Sequence, residues 1–160
     1  MLIDTHCHLD ASEFNLDRLK VVARAEEQGI SGIVIPAVSR SNFDAVRLLA
    51  HSFKGGTYAL GLHPICMPDA REEDLTELAS QIERSLDDPR FVAIGEIGLD
   101  FFMPALIEPD LRAKQEAFYT AQLDLAERYE LPVVLHVRRS HDIVLKHLRT
   151  RRPIGGIAHA

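Results

Sequence analysis

The sequence predicts an α/β protein in which strands and helices alternate along the chain and the strands form one parallel sheet. Two observations support this prediction. Short apolar runs rich in β-branched residues, such as Ile30–Pro36, have the composition of strands buried on both faces. The longer segments between them repeat apolar residues at the spacing of an amphipathic helix. Successive βα units joined by right-handed crossovers give a parallel sheet.

The first three βα units occupy residues 2–86. Each strand is a short apolar run, and each helix repeats apolar residues three or four positions apart and ends near glycine or proline. Polar stretches at 9–14 and 68–74 are predicted as loops. The predicted strands cover 2–5, 30–36 and 57–62, and the predicted helices cover 15–28, 41–52 and 75–86.

The rest of the chain continues the alternation with three strands and two helices. The fourth strand is an apolar run that leads into a carboxylate, and a proline opens the fifth. The segment 101–109 between the fourth strand and the next helix is predicted as a loop with an exposed apolar character. The predicted strands cover 91–95, 133–135 and 154–158, and the predicted helices cover 111–129 and 142–149.

The composition is that of a globular protein with one core, since 46% of the 160 residues are apolar. The net charge of −6 argues against a broad basic face for nucleic acid, but it allows a small site where metal ions supply positive charge. No apolar run approaches the ~20 residues that cross a bilayer, and no signal peptide is visible. We therefore expect no membrane partner and a cytoplasmic location, with Cys7 and Cys66 reduced.

Histidines stand at the ends of the predicted strands. His6 and His8 follow the first strand, and side chains two residues apart on an extended chain point to the same face. Because neutral imidazole is a common metal ligand, this pair predicts a metal site; one buried and one solvated histidine is the alternative. Parallel strands end at one edge of the sheet, so the residues after five of the six strands are expected to converge. These residues are His6, His8, His63, Glu96, His136 and His159.

Glu96 stands in an apolar segment, where an unpaired carboxylate would cost several kcal/mol to bury. It therefore needs a cation. One interpretation is a carboxylate that bridges two metal ions, as in two-metal hydrolysis. The alternative is an ion pair with a cation from a neighbouring strand end, such as Arg138.

The remaining polar residues near the strand ends have open roles. His63 either binds a substrate phosphate or caps a loop, and Asp100 either binds substrate or shapes the loop after the fourth strand. Arg138 is a candidate contact for an anionic substrate, and Arg139 is either a second contact or a solvated helix entry.

Asp4 and Asp10 flank the histidine pair, and Cys7 lies between its two members. Asp4 and Asp10 either orient a ligand imidazole or cap a turn, and Cys7 packs into the wall of the sheet. Three further histidines lie on or next to helices and are predicted to be surface residues. They are His51, His141 and His147.

Four segments together resemble the TatD family of metal-dependent hydrolases, most closely its YjjV-type branch. They are IDTHCHLD at 3–10, GLHP at 61–64, AIGEIGLD at 93–100 and LPVVLHVR at 131–138. The family belongs to the amidohydrolase-like TIM barrels. The resemblance implies a (β/α)8-barrel fold, of which 160 residues supply about the first six βα units.

The resemblance also implies a site with two divalent metal ions, of Zn, Mg or Mn. His6 and His8 would hold the first ion, His136 and His159 the second, and Glu96 would bridge both. Glu96 and His63 are then the candidate catalytic residues. The candidate substrate-binding residues are His63, Arg138 and Asp100.

The implied activity is that of a deoxyribonuclease or phosphodiesterase acting on DNA, a nucleotide or another small anionic substrate. A typical barrel has ~250 residues, so residues 1–160 are expected to be the N-terminal part of a single hydrolase domain. In the family, two further strands and an Asp metal ligand follow this part of the barrel. We therefore expect the missing C-terminal part of the barrel to be a partner of residues 1–160. Hydrolysis of a C–N or ester bond with the same metals is one alternative function, and an inactive truncated barrel is another.

Overall fold

The computed structural model describes residues 2–159, and in it six strands form one parallel sheet. The strands lie side by side in chain order, each hydrogen-bonded to the next one along the sequence. They are β1 (Leu2–Asp4), β2 (Ile30–Pro36), β3 (Gly56–Leu60), β4 (Phe91–Asp100), β5 (Val133–Arg138) and β6 (Gly156–His159). This sequential order is that of six consecutive strands of a TIM barrel, so the prediction of an incomplete barrel is confirmed.

Five α-helices connect the strands, and short 3₁₀ turns lie in several of the loops. The helices are α1 (Arg18–Glu27), α2 (Phe43–His51), α3 (Glu72–Ser85), α4 (Pro109–Arg128) and α5 (His141–Leu148). Each helix packs its apolar side chains on the sheet, and together they form one main core cluster. No helix within residues 2–159 is both long enough and apolar enough to cross a membrane.

Several predicted boundaries differ from the structure by one to five residues, and two of these differences have identifiable reasons. The polar stretch 68–74 is not a loop throughout, because α3 begins at Glu72. There the backbone N–H of Arg71 donates to the Asp74 carboxylate at 2.9 Å, and the acidic first turn suits a helix N-terminus. Strand β4 continues five residues past the predicted end to Asp100, which pairs with Arg138 of β5.

Two buried glutamines of α4 bind the strand ends directly. Gln122 accepts a hydrogen bond from the backbone N–H of Leu62 at 2.7 Å and donates to the Leu62 carbonyl at 3.2 Å. Gln115 accepts from the backbone N–H of Asp100 at 2.8 Å and donates to the Leu106 carbonyl at 2.8 Å. Buried backbone groups that leave the sheet here therefore keep their partners, and the edge that carries the polar residues is held against α4.

The two outer strands each have one neighbour within the described residues, as the sequence predicts for an incomplete barrel. Leu2 and Ile3 of β1 are 61% and 54% exposed, and Ile157 of β6 is 42% exposed. The central strands are much more deeply buried, because both of their faces are covered.

Candidate metal centre

The carboxylate of Glu96 lies at the centre of a cluster of imidazoles at the carboxyl edge of the sheet. Its side chain is 1% exposed, so the group is removed from bulk water. On one side, Oε2 lies 3.2 Å from Nε2 of His6 and 3.0 Å from Nε2 of His8. The Nε2 atoms of His6 and His8 are themselves 3.0 Å apart. Three atoms with lone pairs therefore converge on one point.

The other carboxylate oxygen of Glu96 faces a different set of histidines. Oε1 lies 3.3 Å from Nε2 of His63, 3.0 Å from Nδ1 of His136 and 2.6 Å from Nε2 of His159. These histidines come from three different strands: His63 follows β3, His136 lies within β5 two residues before its end, and His159 ends β6. The predicted convergence of residues distant in sequence is thus present in the structure.

Local backbone geometry explains how β1 presents its two imidazoles. The alternation of side chains puts His6 and His8 on one face and Cys7 on the other, where Cys7 packs against the core. Asp4 accepts a hydrogen bond from the backbone N–H of His6 at 3.1 Å, so it caps the turn. Asp10 accepts from the side-chain amide of Asn42 at 2.9 Å.

Neither aspartate orients a ring of the pair. Within the described residues, the buried Nδ1 atoms of His6 and His8 have no hydrogen-bond partner. Of the two roles considered for Asp4 and Asp10, the structural one therefore agrees with the contacts.

Asp100 connects the cluster to the loop after β4. Its Oδ1 accepts from the backbone N–H groups of Phe102 at 2.8 Å and Met103 at 3.0 Å, which shapes that loop. Its Oδ2 lies 3.1 Å from Nε2 of His136. His136 therefore touches a carboxylate through each ring nitrogen, an arrangement that fixes the orientation of the ring.

The electrostatics of the metal-free cluster follow from burial and from these contacts. Burial alone would raise the pKa of Glu96, but hydrogen bonds from the surrounding imidazoles outweigh it and lower the pKa far below its usual range. The hydrogen bond to Glu96 raises the pKa of His8. Burial works against the protonated form of His136, yet its bonds to Glu96 and Asp100 raise its pKa. Without a bound cation, hydrogen bonds from the imidazoles stabilise the buried carboxylate.

At two other rings of the cluster, burial outweighs the effect of the nearby carboxylate on the pKa. It lowers the pKa of His63 and that of His159, and the nearby carboxylate does not compensate. The backbone N–H of Ile65 donates to Nδ1 of His63 at 2.9 Å. In the neutral ring the proton of His63 is therefore on Nε2, which faces Glu96.

The donor set fits a divalent metal. Two groups of side chains have ligand atoms close enough to share an ion: His6, His8 and Glu96, and His63, Glu96 and His136. Imidazole nitrogen suits zinc and iron, and carboxylate oxygen suits manganese and magnesium. Because a cation would relieve the crowding of lone pairs around the carboxylate, the cluster has the chemistry of a metal site.

Three predictions about cations and histidines can be checked against the contacts. Arg138 does not pair with Glu96, since its nearest carboxylate is Asp100, with Nη1 to Oδ2 at 3.9 Å. His51 is exposed, as predicted. The prediction that His147 is a surface residue is wrong: its side chain is 14% exposed, because it packs edge-on to Tyr119.

Sequence reasoning missed the two buried glutamines of α4 that hold the ends of β3 and β4. Gln115 and Gln122 are each 1% exposed. Polar residues in the apolar stripe of a helix are the signal that could have located them.

Fold and cluster together define a class of protein: barrel-type α/β proteins whose candidate metal site lies at the carboxyl ends of the strands. Comparison with known proteins makes the class specific. The family model described as TatD related DNase matches residues 3–160, and the chain belongs to that family.

Two relatives show how close the similarity is. The chain is 39% identical over 158 residues to the protein of Escherichia coli (strain K12) named uncharacterized metal-dependent hydrolase YjjV, covering 98% of this chain and 59% of that one. It is 35% identical over 143 residues to the 3'-5' ssDNA/RNA exonuclease TatD of Pantoea vagans (strain C9-1), covering 88% of this chain and 51% of that one.

The solved structure of the YjjV protein from Escherichia coli K12, a TatD homologue, superposes with a TM-score of 0.89 at 37% identity. The superposition covers 99% of this chain and 60% of that one. The chain thus spans little more than half the length of the curated relatives that it matches.

Proposed function

We propose that the protein is a divalent-metal-dependent hydrolase of phosphodiester bonds, with a single strand of DNA or RNA as its substrate. The observation that carries this proposal is the division of the Glu96 carboxylate between two sets of histidines. A carboxylate placed in this way suits a bridge between two ions. The name of the Pantoea vagans relative, a single-stranded DNA and RNA exonuclease, supports the substrate class.

In this proposal the ligand sets are those that the resemblance to the TatD family implies. His6 and His8 would hold one ion, His136 and His159 would hold the other, and Glu96 would be a ligand to both. Two ions held there would supply an activated water and neutralise charge on a phosphoryl oxygen. Zn, Mg and Mn are the candidate metals.

His63 is assigned to the substrate rather than to a metal. A metal ligand needs a free lone pair, and Nε2 of His63 carries the proton because Nδ1 accepts from Ile65. Burial lowers the pKa of His63, which keeps the ring neutral. Its Nε2–H can therefore donate a hydrogen bond to a phosphate oxygen.

Asp100 acts through His136 in this scheme. Its carboxylate accepts from Nε2–H of His136 and leaves Nδ1, the atom 3.0 Å from Glu96, free to bind an ion. This positioning role takes the place of the predicted direct contact between Asp100 and substrate, because the side chain is buried and its oxygens are already engaged.

The experiment is an activity screen of the protein with Mn²⁺, Mg²⁺ or Zn²⁺ added. The substrates are a single-stranded oligonucleotide, a duplex, an RNA, bis-p-nitrophenyl phosphate, and a panel of amides, esters and lactones. We expect turnover of single strands that is abolished by chelation and by Glu96→Gln. Turnover of the carbonyl substrates alone would select the C–N or ester hydrolase, and no turnover of any substrate would favour an inactive protein.

A further inference from the structure

Three arginines lie over the aromatic rings of Phe101 and Phe102 in the loop after β4. The guanidinium carbon of Arg138 lies 3.8 Å from the ring centre of Phe102, and that of Arg139 lies 4.6 Å from the same ring. The guanidinium carbon of Arg112 lies 4.1 Å from the ring centre of Phe101. We call Phe101, Phe102, Arg112, Arg138 and Arg139 the arginine patch.

The arginines of the patch have little contact with carboxylates of the protein. Within residues 2–159, one ion pair of 4.0 Å or less involves it, the contact of Arg138 with Asp100 at 3.9 Å. That carboxylate already accepts from two backbone N–H groups and contacts His136. Asp142 lines the same surface depression as Arg112 and Arg139, a cavity of about 400 Å³, without pairing with either.

Some other arginines of this acidic chain pair directly with a carboxylate: Arg47 pairs with Asp44 at 2.8 Å and Arg151 with Asp124 at 2.5 Å. An aromatic face orients a guanidinium without cancelling its charge. The arginine patch is therefore prepared for an anion from outside the protein.

Hydrogen bonds join the segments that carry the arginine patch, and Asp100 connects them to the metal centre. The backbone N–H of Phe101 donates to the carbonyl of Arg138 at 2.8 Å, and Ser140 donates to the carbonyl of Leu99 at 2.7 Å. The loops after β4 and β5 are thereby fixed to each other. Asp100 lies between the two features, touching Arg138 on one side and His136 on the other.

We propose that the arginine patch binds phosphates of a single-stranded nucleic acid that lie beyond the bond being cut. This inference rests on the proposed function for the class of substrate, and it assigns a substrate contact to residues outside the metal cluster. Phe102 is 40% exposed, which leaves part of its ring open to an unpaired base. A nucleotide chain offers both features, phosphate charge for the arginines and a flat base for the ring.

The test measures binding in EDTA, so it needs neither metal nor turnover. The probe is a fluorescein-labelled twelve-nucleotide oligothymidylate, followed by anisotropy at several salt concentrations. Each phosphate contact contributes about 0.7 to the slope of log K against log salt for a single strand. We expect the combined variant R112Q/R138Q/R139Q to lose about 2 from that slope and at least about tenfold in affinity at low salt.

Two further variants separate charge from ring, and a third is the control. Arg139→Lys keeps the charge and should keep the salt slope. Phe102→Leu should weaken binding about two- to fivefold, the factor expected for an exposed cation–π contact, with an unchanged slope. Arg24→Gln removes an exposed charge in the last turn of α1, remote from the carboxyl edge of the sheet, and should change neither quantity.

An unchanged slope in the triple variant would overturn the inference, as would the absence of binding by the unaltered protein. Equal affinity for a polyglutamate of matched charge would also overturn it, because charge alone would then explain the binding. A protein that binds the oligonucleotide as described but hydrolyses no phosphodiester would contradict the proposed function and leave the arginine patch assigned.

Discussion

The variant Glu96→Gln is the most informative single perturbation of the cluster. It keeps the shape of the side chain and removes its negative charge. The carboxylate is 1% exposed and stands within 3.3 Å of five imidazole nitrogens, so solvent cannot replace it. We expect the variant to fold, since the amide oxygen can still accept from the rings on one side and the amide NH2 can donate to unprotonated ring nitrogens on the other.

The structure sets the expected magnitude. Loss of a partner that only supports a metal ligand typically lowers metal affinity 10- to 100-fold, and loss of a direct charged ligand should reach at least the upper value, about 100-fold. This factor corresponds to about 2.8 kcal/mol of binding free energy. Because Oε2 faces His6 and His8 while Oε1 faces His136 and His159, both ions should be affected.

The assay is isothermal titration calorimetry, in which Zn²⁺ or Mn²⁺ is added to protein that a chelator has freed of metal. Metal analysis after dialysis gives the number of bound ions. The control is Glu116→Gln. Glu116 also contacts a histidine, His147 at 3.3 Å, but lies outside the cluster. We expect about two ions per chain for the unaltered protein and for the control, and weak binding for Glu96→Gln. If Glu96→Gln binds ions with unaltered number and affinity, the carboxylate is not a ligand and the reasoning fails.

Two further predictions concern protonation and stability. In an NMR titration of the metal-free protein, His136 should titrate above the usual pKa of 6.5 and His63 below it, since the carboxylates bonded to His136 favour its charged form and burial disfavours that of His63; the reverse order would contradict the assigned contacts. Gln122→Leu leaves two buried backbone groups of Leu62 unpaired, so urea unfolding should show that the free energy of unfolding falls by about 2–4 kcal/mol. The exposed control Gln28→Leu should change it little. A loss no larger than that of the control would show that water replaces the amide.

The sequence was sufficient to predict the alternation of strands and helices and the identity of the clustered residues. The reason is physical: strands buried on both faces are uniformly apolar, so a His or Glu at the end of such a run stands out. β2 is predicted to the residue, because Gly29 and Pro36 mark its limits.

The sequence was not sufficient for contacts that depend on distant segments. Gln122 binds Leu62 across 60 residues, and no local pattern encodes that pairing. The extent of β4 depends on the register with β5, where Gly98 adopts a φ of 140° opposite His136 and the chain continues to Asp100. The division of histidines between the two oxygens of Glu96 likewise required coordinates.

The assignment of individual histidines to ions remains a prediction, and His63 illustrates why. Its Nε2 lies close enough to Glu96 and His136 to join a metal group. Its hydrogen bond from the backbone N–H of Ile65 places the proton on that same atom. Sequence alone left a substrate role and a loop-capping role open, and the structure shows that Nδ1 makes the capping contact while Nε2 faces the cluster.

Anomalous diffraction from crystals grown with Mn²⁺ tests the central claim most directly, because it locates each ion without assuming its ligands. We expect one peak within bonding distance of Oε2 of Glu96 and the imidazoles of His6 and His8, and a second near Oε1 with His136 and His159. A strong peak elsewhere on the protein, with none touching the Glu96 carboxylate, would contradict the claim that the strand ends build a metal centre around that residue.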